Sequence, residues 1–156
     1  MNQEEPNNYQ IAGTHYQTKD KYQLWDLIID IDLNFLLANA IKYIYRCKNK
    51  NGVQDLDKAK HYIDKFFNLD RMLQNKLTNR PICSPTNILD TIPKKINNFL
   101  QKETTLSRLQ KTLIEDISRL TFDNDNSWTI LDRVYLIVLD NLELLNEELK
   151  KEIESL

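Results

Sequence analysis

The sequence predicts an all-α protein, and three observations carry that prediction. Only two glycines and four prolines occur in 156 residues, whereas β-rich folds recruit both residues for their frequent turns. Apolar residues recur at spacings of three and four along most of the chain. The pair Asn51-Gly52 separates two amphipathic stretches and reads as a tight turn, because both residues tolerate positive φ.

The elements follow in order. Residues 1–14 are polar, hold Pro6 and Gly13, and read as a flexible arm. A first helix is expected over Tyr22–Ile31, where Leu24, Leu27, Ile28 and Ile31 share a face. Asp32 and Asn34 are candidate caps for a second helix, about Asn34–Lys50, with Leu36, Leu37, Ala40, Ile41, Ile44 and Cys47 as its apolar side. A third, about Val53–Leu77, would bury Leu56, Ala59, Tyr62, Ile63, Phe66 and Phe67. Together these two form an αα-hairpin. TNRPICSPTN, residues 78–87, interrupts the pattern with two prolines and marks a linker between a module over 15–77 and a helical region over 88–156. There, helices are expected over Ile88–Leu100, Leu106–Leu120 and Trp128–Ile153. The last carries a near-heptad stripe of Leu131, Val134, Tyr135, Val138, Leu142, Leu145 and Leu149, which predicts either a partner helix in the chain or self-association into a homo-oligomer.

Charge bounds the function. The net −2 divides into +2 for residues 1–80 and −4 for residues 81–156, and seven basic against three acidic residues between Lys42 and Lys65 give a local +4. Such a patch suits a phosphate-bearing ligand and is too small for a long nucleic-acid footprint, so a nucleic-acid partner is disfavoured. Two cysteines and two histidines leave little material for a zinc site, and no metal ligands are assigned. No apolar stretch reaches membrane-spanning length, and the polar, acidic start is unlike a signal peptide. The expected location is the cytoplasm. With two glycines, neither a Walker loop nor a dinucleotide fingerprint is present.

The chemistry concentrates on the second helix. Offsets of three, four and seven place Asn39, Lys42 or Tyr43, and Arg46 on one stripe. Arg46 offers a planar fork to phosphate oxygens, Lys42 a point charge, and Asn39 a polar edge. Lys48 and Lys50 add two cations just before the third helix, whose N-terminus also attracts anions. The competing reading is structural: Arg46 pairs with Asp55 across the hairpin and the lysines are a solvated face. His15 and His61 read as structural residues, and Glu143, Glu147 and Glu148 as a solvated face beside Lys150 and Lys151.

The ordered set His15-Tyr16, Tyr22-Gln-Leu-Trp-Asp26, Leu33-Asn-Phe-Leu, Asn39-Ala-Ile-Lys42-Tyr43-Ile-x-Arg46 and Lys50-Asn-Gly52-x-x-Asp55-Leu56-x-Lys58-Ala59-x-x-Tyr62 resembles the SaV-like family of bacteriophage proteins. The resemblance spans about residues 13–67. That family includes a podophage nucleotide kinase without a Walker motif and a lactococcal phage protein linked to abortive infection. The resemblance implies a phage or prophage origin and a bacterial host cytoplasm. It also implies a nucleotide ligand, with His15, Tyr16, Asn39, Lys42, Tyr43, Arg46, Lys50, Asp55 and Lys58 at matching positions. The family pattern carries Glu-Gly where this chain has Leu37-Ala38, so a candidate metal ligand or general base is lost, which weighs against catalysis more than binding.

Three functions follow as expectations. The first is a protein that binds a nucleotide or nucleotide-derived phosphate, extending to a non-Walker nucleoside monophosphate kinase. Mg²⁺ would then bridge the phosphates and Asp55 help to position it. The second is a non-catalytic protein that sequesters a host nucleotide signal in anti-defence. The third is a helical interaction module acting on a host defence protein.

Overall fold

The computed structural model describes residues 5–8, 16, 21–69, 87–120 and 128–156. Among these residues there are helices and no strand: α1 (Leu24–Asp30), α2 (Phe35–Arg46), a 3₁₀ turn (Cys47–Asn49), α3 (Val53–Phe67), α4 (Asn87–Lys102), α5 (Arg108–Arg119) and α6 (Trp128–Glu154). The fold is all-α, as the sequence predicts. Of the expected arm, residues 5–8 are described. They include a 3₁₀ turn at Pro6–Asn8 whose Asn7 side chain donates to Asp26 Oδ2 and accepts from Trp25 Nε1. His15, the third helix beyond residue 69 and the linker up to residue 86 lie outside the described residues.

The boundaries have local causes. Asp32 was expected to cap the second helix; instead it ends the first. It adopts a left-handed φ of 51°, and the N–H groups of Asp32 and Leu33 donate back to the carbonyls of Ile29 and Ile28, the pattern of a Schellman stop. Asn34 is the cap of α2, its Oδ1 accepting from Leu37 N–H at 3.0 Å. The expected second helix contains α2 and then tightens into the 3₁₀ turn. Gly52, at φ 54° and ψ −127°, takes a backbone conformation open only to glycine and reverses the chain into α3.

The hairpin of α2 and α3 forms the most extensive helix pair, and α5 packs on α2 while α6 packs on α3 and α5. Leu37, Ile41 and Ile44 from α2, Ile63 and Phe66 from α3, Leu113 and Ile117 from α5, and Val138 and Leu145 from α6 join one buried cluster. The region over 88–156 therefore shares its core with the hairpin. The heptad stripe of α6 finds its partner inside the chain: Val138, Leu142, Leu145 and Leu149 are buried. Self-association would have to use another face.

Gln110 ties these layers together. It closes the capping box of α5, its Oε1 accepting from Ser107 N–H at 3.0 Å, and its Nε2 donates to the Ile44 carbonyl at 2.8 Å. One side chain thus starts α5 and satisfies a carbonyl in the last turn of α2.

Candidate functional site

The exposed flank of the α2–α3 hairpin gathers most of the predicted site residues. Lys42 and Arg46 stand one turn apart on α2, and Asp55 and Lys58 face them from the start of α3. Arg46 makes a two-pronged bond to Asp55, Nε to Oδ2 at 3.0 Å and Nη2 to Oδ1 at 3.2 Å. Asp55 is fully buried. Its Oδ1 also accepts from Asn51 Nδ2 at 3.3 Å and lies 3.9 Å from Lys58 Nζ. The structural pairing of Arg46 is therefore real, but it does not consume the patch. Arg46 and Lys58 share the carboxylate of Asp55, while Lys42, bonded to Asn39, adds a third cation, so that among the described residues of the cluster two formal positive charges are in excess.

Tyr43 organises that excess. Lys42 Nζ lies 4.6 Å, Arg46 Cζ 4.8 Å and Lys58 Nζ 5.6 Å from the centre of its ring, within the range of cation–π attraction. The Tyr43 ring also stacks on Tyr62 at 5.9 Å, and Tyr62 meets the edge of Phe35 at 6.1 Å. A cation-lined aromatic row thus runs from Arg46 toward the start of α2. Asn39 sits along it, its Oδ1 accepting from Lys42 Nζ at 2.6 Å and its Nδ2 donating to the Phe35 carbonyl at 2.8 Å.

Burial and the neighbouring charges act together on these groups. Partial burial, then repulsion from Arg46 and Lys58, hold Lys42 below the ordinary lysine value, with Asp55 opposing. Burial also works against the charge of Arg46, but its hydrogen bond to Asp55 and the nearby Tyr16 and Asp55 outweigh it, so its pKa is raised. Tyr16 stacks on Tyr45 at 5.7 Å. Burial pushes its phenol up, and the neighbouring Arg46 guanidinium draws it back down. An anion placed among Lys42, Arg46 and Lys58 would relieve the repulsion among them and favour all three in their charged forms.

Two predicted residues leave the cluster. Lys48 turns to α6, where its Nζ donates to Glu152 Oε1 at 2.6 Å, and Lys50 is exposed on the turn. Asp55, which was expected to help position Mg²⁺, receives N–H donors on both oxygens and holds Arg46. Among the described residues no group of three or more His, Cys, Asp or Glu side chains converges to hold a metal ion. Cys47 is buried in the core and its thiol is pushed up to about 11 by that burial, so it remains a protonated packing group.

Sequence reasoning missed Phe35, Asn51 and the position of Tyr62. Phe35 lies four residues before Asn39 and seven before Lys42, hence on the same face, and that offset was the available signal. Two concave regions elsewhere do not include the cation cluster. One of about 350 Å³ is lined by Asn7, Lys21, Tyr22, Asp26, Ile29 and Asp30. Another of about 200 Å³ lies between α1 and α4 beside Phe99 and Glu103. Asp26 and Asp30 make the first a poor host for a polyanion, and the candidate site is located by its charge.

Residues 11–64, about a third of the chain, match the model of a family described as protein of unknown function (DUF3310). The matched span is similar to that family and contains the whole cation cluster. No curated protein and no solved structure matches the chain. No described helix is long and apolar enough to cross a membrane.

Proposed function

We propose that the flank of the α2–α3 hairpin binds the phosphate groups of a nucleotide or nucleotide-derived ligand. The observation that carries this reading is the convergence of Lys42, Arg46 and Lys58 on the Tyr43 ring with one buried carboxylate between them. A purely structural patch would pair its charges. This one keeps an excess of positive charge at partly exposed positions, with Arg46 held in a fixed orientation by Asp55. Lys42 and Lys58 would supply the mobile contacts to phosphate oxygens, and Arg46 the fixed one.

Binding is better supported than phosphoryl transfer. Among the described residues the carboxylate beside the cations, Asp55, is already engaged by Arg46 and Asn51, which leaves it poorly placed to act as a general base. A phage protein that sequesters a host nucleotide signal is therefore our preferred reading, and a nucleotide kinase the second. Stoichiometric binding without turnover marks the first; Mg²⁺-dependent turnover marks the second.

The test is a thermal-shift panel of nucleoside mono-, di- and triphosphates and cyclic nucleotides, with and without Mg²⁺, on wild type and Lys42→Met. Lys42 is the better variant than Arg46, because removing Arg46 would leave Asp55 buried without its main partner. A ligand present at a hundredfold excess over its dissociation constant should stabilise wild type by about 2.7 kcal/mol, and Lys42→Met should lose most of that shift. No shift with any nucleotide would sink the reading and favour the interaction module.

A further inference from the structure

We infer that Phe35 is the stacking platform for the base of the bound nucleotide, so that the site takes nucleoside di- or triphosphates in preference to inorganic polyphosphate. The inference rests on the phosphate reading above and adds what lies at the other end of the ligand. Two nearby aromatic rings, Tyr16 and Tyr43, are committed elsewhere. Tyr43 has cations and Tyr62 against it, and Tyr16 is stacked on Tyr45. Phe35 is different: it is 70% exposed.

Its surroundings fit a platform. The edge contact with Tyr62, at an interplanar angle of 74°, braces the Phe35 ring without covering it. Offset-stacked and edge-on neighbours are the favoured aromatic geometries, so a base on Phe35 would extend the row that already runs through Tyr62 and Tyr43. The spacing is also informative. Seven residues separate Phe35 from Lys42, which on a helix is two turns and about 10 Å. A lone phosphate cannot touch both ends of that span, whereas a base joined through a sugar to a chain of phosphates can. Asn39, between them, has its amide bonded to Lys42 and to the Phe35 carbonyl, and so holds the lysine along the line instead of competing for the base.

Stacking on an aromatic face is tolerant of base identity, so the platform should select for a base without choosing strongly among bases. The experiment is calorimetric titration of the full chain with ATP, GTP, CTP, UTP, inorganic tripolyphosphate and a short single-stranded oligonucleotide. Wild type, Phe35→Ala, Phe35→Trp and Lys42→Met are compared. Wild type should bind the nucleotides more tightly than tripolyphosphate by about 5- to 150-fold, the value of one base stack. Phe35→Ala should remove that preference and leave tripolyphosphate affinity unchanged, while Phe35→Trp should retain it. Because the side chain is exposed, both variants should melt near wild type.

Two results would overturn the inference while leaving the anion site standing. One is equal affinity of wild type for nucleotides and tripolyphosphate, with both lost in Lys42→Met. The other is a nucleotide preference that survives Phe35→Ala. An oligonucleotide bound more tightly than any mononucleotide would overturn the ligand class. Failure of every anion to bind would overturn this inference together with the reading on which it rests.

Discussion

Helix α2 carries polar groups on two sides, and the two sides treat them in opposite ways. Toward α4 and α5, buried polar groups meet specific partners: Tyr45 Oη donates to Glu103 Oε2 at 3.0 Å, and Gln110 Nε2 donates to the Ile44 carbonyl at 2.8 Å. Toward α3, three cations gather around the Tyr43 ring, and two of them, Arg46 and Lys58, share the Asp55 carboxylate. Burial followed by the negative Glu103 raises the Tyr45 pKa, so that side is built around a neutral donor and a single acceptor. The other side retains positive charge that the described residues around it do not balance. The first side is completed within the fold, and the second is the flank proposed to take an anion.

The comparison breaks most sharply at Asp55. Asp55→Ala removes the only carboxylate from the cation cluster and leaves Arg46 partly buried among like charges. Loss of one member of a buried pair costs about 3–5 kcal/mol, measurable as a lower urea midpoint at unchanged slope. If the flank is an anion site, millimolar tripolyphosphate should recover part of that loss and stabilise the variant more than wild type. Equal effects on both proteins would mean that the cations do not act together.

The packed side should respond differently. Gln110→Ala deletes the bond to Ile44 and the capping contact with Ser107, and opens a small cavity. The expected cost is about 2 kcal/mol, with anion affinity measured by calorimetry unchanged. A weakened affinity would show that the position of the α2 C-terminus governs the site.

How far the sequence reveals these two sides depends on how local their interactions are. The hairpin was legible because periodicity marks α2 and α3 directly, Asn34 announces its cap, and Gly52 is the one residue suited to its turn. The Arg46–Asp55 pair spans nine residues across that turn and was within reach of the same reasoning. Glu103 meets Tyr45 from 58 residues away, and Gln110 meets Ile44 from 66; no pattern along the chain joins them. Lys48 was assigned to the site because it neighbours the other cations in sequence, yet its partner Glu152 lies 104 residues on. Phe35 escaped notice for another reason. Its offsets of four from Asn39 and seven from Lys42 place it on their face, but a single apolar residue there carries no sign of a ligand contact.

The smallest effect distinguishes the two sides by proton linkage. Lys42 has a lowered pKa in the folded protein, from burial and then from Arg46, with Lys58 adding to the repulsion. Between that value and its ordinary 10.5, the unfolded chain holds more protons at this position, so this lysine makes stability rise with pH. Tyr16, Tyr45, Tyr135 and Cys47 all have raised values and act in the opposite direction, because the folded state keeps protons that the unfolded chain releases. The wild-type curve alone would hide the lysine, whereas subtracting the curve of Lys42→Met isolates it. The variant should be more stable at neutral pH by no more than about 0.5 kcal/mol after solvent screening, and the difference should shrink as pH approaches 10.5. Tripolyphosphate affinity should move the other way in wild type, falling as Lys42 loses its proton and starting below the ordinary lysine range. A variant that binds anions normally and is no more stable would place Lys42 among the solvated lysines, and the site would contract to Arg46 and Lys58.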